Sequence, residues 1–247
     1  MRRLTSLIRW PFDVALDLTH AALAQLAALR ARGDSPPVFA LGPSDCAPIP
    51  VVLLPGILES STYLAPLGGF LASKGHPVHV VDTLGWNIST IDESVERCIA
   101  VLSEQDIHGA VFVAHSKGGL IGKALLLDPR LGDAAIALVA VATPFAGSTL
   151  GGPFQRLPLV QHTPLGLFFP TNQALTRLAE ERDVNTRIAS LAPEWDQMIP
   201  GGSHLDGATN VTLENRGHFR TIDDPRVWEQ VHIHVHKMAE LTGEIQR

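Results

Sequence analysis

The chain has 247 residues, a formal charge of −6 and 45% hydrophobic residues. That length accommodates one large α/β domain with a full core, and the acidic balance excludes the overall basic field that nucleic acid binding requires. Two cysteines, Cys46 and Cys98, are too few for a disulfide framework and are read as buried thiols.

The chain divides into an N-terminal arm with its linker, residues 1–49, and a main domain over 50–247. In the arm, "MRRLTSLIRWPFDVALDLTHAALAQLAALR" starts with positive charge, but Arg9, Asp13, Asp17 and His20 interrupt every apolar run. Neither a signal core nor a membrane span fits that pattern. An amphipathic helix after Pro11 does, with Asp13, Asp17, His20 and Ala24 on one face and Val14, Leu18, Ala22 and Leu29 nearer another. The arm is expected to pack on the body; the alternative is peripheral membrane contact through Leu4, Ile8, Trp10 and the nearby arginines. Residues 31–50, rich in Pro, Gly, Ser and Asp, read as a linker.

From there strands and helices alternate. "VVLLP" (51–55), "VHVVD" (78–82), "AVFVA" (110–114) and "AIALVAVAT" (135–143) are strands. "TYLAPLGGFLASKG" (62–75), "TIDESVERCIAVLSEQD" (90–106) and residues 117–127 are helices between them. Two more strands, "TRIASLA" (186–192) and "NVTLEN" (210–215), precede a closing helix over 225–243. Short apolar strands each followed by a helix predict a mostly parallel sheet of about six strands covered on both faces, a three-layer α/β/α sandwich. Residues 144–172 break the alternation, and with the amphipathic helix over 172–183 they form an insert over about 144–185. Their Gly, Pro and apolar residues predict a lid or cap that walls a pocket, with Phe154, Leu165, Phe168 and Phe169 as candidate substrate contacts.

The stretch "VFVAHSKGGLIGKALL" (111–126) carries the chemistry. A serine at a tight strand-to-helix turn is lifted above the sheet edge, and the turn needs small neighbours two residues to each side, here Ala114 and Gly118. Ser116 is therefore a candidate nucleophile. Gly119 leaves room for helix and strand to approach, and His115 is expected to support the turn. A serine hydroxyl reacts only when a base takes its proton and donors stabilise the oxyanion. The Lys117 N–H follows the nucleophile directly, and the Ile57 N–H lies in the loop after the first strand, beyond Gly56; both are candidate oxyanion donors. The Lys117 side chain would attract an anionic group near the site or point to solvent. His218 lies just beyond the last strand, and Asp196 just beyond the one before it, so both fall at the strands' carboxyl ends. Asp206 is the rival acid, while Asp223 and Asp224 are read as caps of the final helix. Of His232, His234 and His236 only the first and last share a helix face, without an aligned acid, so surface histidines and no metal are expected.

With these residues in place, the chain from about 50 to 240 resembles the α/β-hydrolase superfamily, and within it the small bacterial lipases of the Bacillus type. "VVLLPGI", "VAHSKGG" and "LDGATNVTLENRGH" carry the likeness, including the alanine before His-Ser. The resemblance implies Ser116, Asp196 and His218 as a triad, Ile57 and Lys117 as oxyanion amides, and no cofactor. Pro55 departs from the family's frequent His, and Lys117 from its Met or Leu. Residues 1–50 and the 144–185 insert exceed the minimal pattern and leave substrate preference and location open. The expected function is hydrolysis of carboxylic esters by an esterase or lipase through an acyl-enzyme, on a small-molecule ester or lipid. A thioesterase or acyltransferase with the same triad is the first alternative, and a non-catalytic lipid- or partner-binding module the second. The expected location is the cytoplasm, with peripheral membrane contact through the arm as the variant.

Overall fold

A computed structural model describes residues 2–30, 35–43, 48–150 and 168–245 of the chain. Cys46, Phe154 and Leu165 lie outside the described residues, as do the side chains of Leu4, Ile8 and Trp10.

The first element is helix α1, Arg2–Arg30. Strands β1 (Val51–Leu54), β2 (Val78–Val80), β3 (Ala110–His115), β4 (Ala135–Val141), β5 (Ile188–Trp195) and β6 (Thr209–Arg216) form a single sheet. Between and after them run α2 (Ala65–Ser73), α3 (Ile91–Glu104), α4 (Lys117–Leu127), α5 (Gln173–Glu180), the single turn α6 (Phe219–Ile222) and α7 (Pro225–Ile245). The strand order is β2-β1-β3-β4-β5-β6, and every pairing is parallel. The six-strand parallel sheet expected from the alternation of apolar runs is therefore present.

Strand periodicity sorts the core into two layers. Val52, Leu54, Phe112, Ala114, Leu138 and Ala140 pack with α3, α4 and α5 on one face. Val51, Leu53, Val111, Val113, Val139 and Val141 pack with α2 and α7 on the other. Because both faces are covered, β1, β4 and β3 up to Ala114 read as unbroken apolar runs. Two of the helices start at caps that their sequences supply. Thr90 accepts from the Glu93 N–H while the Glu93 carboxylate accepts from the Thr90 N–H, a reciprocal cap on α3. Asp224 accepts from the Arg226 N–H at the start of α7.

The sheet runs outward in both directions from β1 and β3, so the connections leaving these two strands part from each other. A crevice opens at such a switch point, outside the carboxyl ends of the strands. The loop after β1 and the turn after β3 are its two walls.

Two sequence expectations about the arm need correction. α1 begins well before Pro11 and runs through it; a proline at a helix start is the common pattern, which is why the sequence alone suggests a later start. The face turned to the body is the one that carries Asp13, Asp17 and His20. Asp17 is fully buried, whereas Phe12 is 70% exposed, Leu16 55% and Leu23 61%. Pro11–Arg30 is also long and apolar enough to cross a membrane, at a mean hydropathy of 1.2, despite the charges that interrupt it.

Candidate active site

Ser116 sits between the end of β3 and the first turn of α4 with φ 51° and ψ −119°. A non-glycine residue held at positive φ is strained, and here the strain points the hydroxyl out of the turn rather than back along the strand. The packing around it leaves no latitude. A side-chain carbon at Gly118 would collide with the Leu54 carbonyl, and one at Gly119 with the Thr143 hydroxyl. The Thr143 hydroxyl also donates to the Ser116 carbonyl at 3.0 Å, pinning the turn from β4.

His218 follows β6 through Gly217, whose φ of 107° is one that side chains rarely adopt. Its Nδ1 lies 2.8 Å from Asp196 Oδ2, and its Nε2 lies 3.0 Å from Ser116 Oγ. A carboxylate oxygen only accepts, so Nδ1 carries the proton and Nε2 is left to accept from the serine hydroxyl. Asp196 is fixed in turn. Its other oxygen accepts from the N–H groups of Met198 at 2.7 Å and Ile199 at 2.9 Å. All three side chains are buried. The structure thus brings Ser116, His218 and Asp196 into one hydrogen-bonded row. Asp206, the rival acid, lies on the surface beside His204.

The Lys117 N–H opens α4, where first-turn amides have no carbonyl partner within the helix. Ile57 lines the same cavity as Ser116 and His218, and no hydrogen bond to its N–H is found among the described residues. Both amides are therefore available to an anion. The loop carrying Ile57 is clamped from two directions. The Gly56 N–H donates to Glu59 Oε2 at 2.5 Å, and Asn87 Nδ2 donates to the Pro55 carbonyl at 2.7 Å.

The Lys117 side chain does neither of the things expected of it. It is completely buried, and its Nζ donates to the carbonyls of Asn87 at 2.7 Å and Ser89 at 2.5 Å and to Asn87 Oδ1 at 3.1 Å. Burial lowers its pKa to about 8, against the pull of Glu93 in the other direction. Its ammonium braces the loop after β2 and reaches neither solvent nor substrate.

Of three further contributors, the sequence reading foresaw only His115, as a support of the turn; Glu59 and Asp17 escaped it. Glu59 Oε1 pairs with His115 Nδ1 at 2.7 Å, and His115 Nε2 reaches the His218 carbonyl at 3.2 Å. Burial pulls the His115 pKa down, but the Glu59 charge and hydrogen bond outweigh it and the net shift is upward. This buried pair links the loop after β1 to the histidine loop. The third contributor is Asp17, from α1. Its carboxylate accepts from the N–H groups of His218 at 2.9 Å, Phe219 at 3.1 Å and Arg220 at 2.8 Å, and from the Gln197 side chain. A side chain at Gly217 would strike it. Asp13 holds Arg216 at 2.9 Å, and His20 meets Asp223 at 2.6 Å. The only sequence signal was that Asp13, Asp17 and His20 share a helix face; nothing tied that face to residue 218.

Ser116 and His218 open into a cavity of about 590 Å³. Leu18, Ala21 and Ala22 of α1 form one wall, and Phe168, Phe169, Met198 and Ile199 another. Two of the four predicted substrate contacts, Phe168 and Phe169, do line it.

The fold is the α/β-hydrolase fold. No family model and no curated protein sequence matches the chain. Among solved structures, a monoacylglycerol lipase from Paleococcus ferrophilus superposes with a TM-score of 0.59 at 16% identity, over 81% of this chain and 96% of its own. A Bacillus licheniformis lipase in its mature form gives 0.58 at 16%, over 78% and 95%. The naproxen esterase of Bacillus subtilis gives 0.52 at 19%, over 78% and 84%.

Proposed function

We propose that the protein is a serine hydrolase that cleaves carboxylic esters, an esterase or lipase working through Ser116, His218 and Asp196. The observation that carries this reading is the row from Asp196 Oδ2 through His218 to Ser116 Oγ, with links of 2.8 Å and 3.0 Å, at the mouth of an apolar cavity. Ser116 Oγ attacks the ester carbonyl carbon while His218 Nε2 takes its proton. Asp196 holds the ring and stabilises the imidazolium. The oxyanion of the tetrahedral intermediate accepts from the Ile57 and Lys117 amides. The intermediate collapses, the alkoxide leaves with the proton from His218, and an acyl group remains on Ser116. Water, deprotonated by His218, then releases the carboxylic acid and restores the serine.

The leucine, alanine and phenylalanine walls suit an acyl chain better than a peptide, and the names of the neighbouring structures point the same way. The exposed stripe of α1 fits a lipid surface: Phe12, Leu16 and Leu23 face outward while Leu18, Ala21 and Ala22 of the same helix line the cavity. Docked through that stripe, the enzyme would hold its cavity close to the lipid that supplies its substrate.

Hydrolysis of p-nitrophenyl esters from acetyl to palmitoyl tests the reading. Ser116→Ala and His218→Ala are each expected to lower kcat by about 10⁴-fold or more, and the chain-length optimum chooses between esterase and lipase. Transfer of the acyl group to an added alcohol or thiol in preference to water would move the assignment to an acyltransferase. No turnover of any ester, with no labelling of Ser116 by a fluorophosphonate, would sink the hydrolase.

A further inference from the structure

Three imidazoles converge at the opposite end of the sheet from Ser116. His76 lies in the short connection from α2 to β2, just ahead of the strand's amino end, and His232 and His236 stand one turn apart on α7. One ring nitrogen from each lies within 4.8 Å of the other two. The ring centroids are 5.2 Å apart for His76 and His232, 5.0 Å for His76 and His236, and 4.9 Å for His232 and His236. His76 is buried and the other two are half-buried.

The hydrogen bonds around His76 set its ring in the orientation of a ligand. Its Nδ1 lies 2.9 Å from the Ile49 carbonyl. A carbonyl only accepts, so Nδ1 carries the proton and Nε2 presents its lone pair to the cluster. This is the arrangement that orients metal-binding histidines, with the far nitrogen donating to a backbone carbonyl. The lone pair meets His232 Nδ1 at 3.0 Å. Among the described residues nothing hydrogen-bonds the His236 ring, so its nitrogens are uncommitted. Lys74 and Glu229, whose charges act on His232, pair with each other at 3.0 Å.

We propose that His76, His232 and His236 form a binding site for one divalent transition-metal ion, Zn²⁺ foremost. Three imidazoles without a carboxylate suit a borderline-soft ion and exclude the oxygen-seeking Mg²⁺ and Ca²⁺. Tetrahedral Zn²⁺ with bonds of 2.0–2.1 Å needs ligand nitrogens about 3.4 Å apart. The His76 and His232 pair is already near that spacing. His236, half-buried at the surface, reaches it by a side-chain rotation. His232 moves its proton from Nδ1 to Nε2 as the metal enters, so no net proton is lost, and solvent fills the fourth position. The ion would fasten the closing helix to the amino-terminal edge of the sheet. That is a structural clasp, remote from the ester chemistry and independent of it.

The test is a calorimetric titration of the chelator-treated full chain with Zn²⁺, with the melting temperature followed in parallel. The expected result is one equivalent bound, a rise in Tm, and with Co²⁺ the visible absorption of a tetrahedral site. His232→Ala and His236→Ala place a good helix former on a half-buried face, so both should fold, as circular dichroism will verify. Each is expected to weaken Zn²⁺ binding at least tenfold and to abolish the Tm rise. His204→Ala, at an exposed histidine, should change neither. Absence of stoichiometric binding by the parent would overturn the proposal. So would binding that survives both substitutions on α7, or that disappears in His218→Ala instead, which would assign the ion to the triad.

Discussion

Single residues at this site act through fixed geometry more than through their own reactivity. Asp17 shows it best: a carboxylate from the N-terminal helix accepts three consecutive backbone N–H groups at His218, Phe219 and Arg220, and so sets the height and tilt of the histidine loop. In Asp17→Asn an amide NH₂ replaces one acceptor and faces donors it cannot bind. A hydrogen bond to a charged group contributes about 1.5–3 kcal/mol, so kcat should drop by roughly 10- to 100-fold while KM stays near the parent's, because Asp17 does not line the substrate cavity. Asp17→Glu should restore less than half of the loss, since the longer side chain has no room beneath Gly217. Loss in KM alone, or unaltered kinetics in Asp17→Asn, would remove Asp17 from the positioning of His218. His115 contributes in another way. Its pKa is raised in the fold, so its contribution to stability is present below the unfolded value and fades as pH rises through the folded one. The stability gap between the parent and His115→Gln should thus be wider at pH 6 than at pH 9 in urea unfolding.

At the scale of elements, α1 inverts the usual amphipathic arrangement, in which the apolar stripe is buried and the polar one solvated. Asp13, Asp17 and His20 bind the loop and turn around His218, Leu18 and Ala22 wall the cavity, and Phe12, Leu16 and Leu23 are left to the solvent. Contact with a membrane through that stripe depends on apolar area. The double variant Leu16→Glu, Leu23→Glu should therefore lose most of the parent's co-sedimentation with phospholipid vesicles, while keeping its rate on a soluble acetyl ester. Equal sedimentation of the two proteins would leave the stripe with no role at membranes. The strand-to-helix turn at Ser116 depends on its neighbours in a comparable way: Gly118 lets α4 press against the Leu54 carbonyl of β1, and Gly119 lets it press against the Thr143 side chain.

Across the whole molecule, stability carries the cost of cations enclosed in the core. Lys123 is buried on α4, and burial lowers its pKa to about 8 although Glu181 pulls the other way. The unfolded chain keeps that proton up to an ordinary lysine value near 10.5. Between these two values the unfolded state binds more protons, so stability rises with pH. Below pH 8 the full penalty applies. Lys123→Met should accordingly stabilise the protein at pH 7, by up to roughly 3 kcal/mol, and the gain should shrink toward zero by pH 10.5 in denaturant unfolding. A gain that does not change with pH would mean that packing, and not charge, is responsible. Cys98 completes the picture of a closed core: burial raises its thiol to about 12, and in a Cys46→Ser background it should react with a thiol reagent only after unfolding.

What the sequence by itself determined is whatever repeats locally. Runs such as VVLL and AVFVA are apolar at every position because both faces of the sheet are covered, and a parallel six-stranded α/β fold follows from them. Ser116, His218 and Asp196 were legible because each falls just after a strand, and parallel strands bring such positions to one edge. Only the tertiary structure decided what depends on contacts between residues far apart in the chain. It turned the Lys117 ammonium inward to Asn87 and Ser89, paired Glu59 with His115 across 56 residues, set Asp17 beneath a loop 201 residues away, and carried His76 to two histidines of the last helix. Hydrophobic periodicity records which face of an element is buried, but not what it is buried against, and a polar face that docks on another polar group leaves no periodic trace at all.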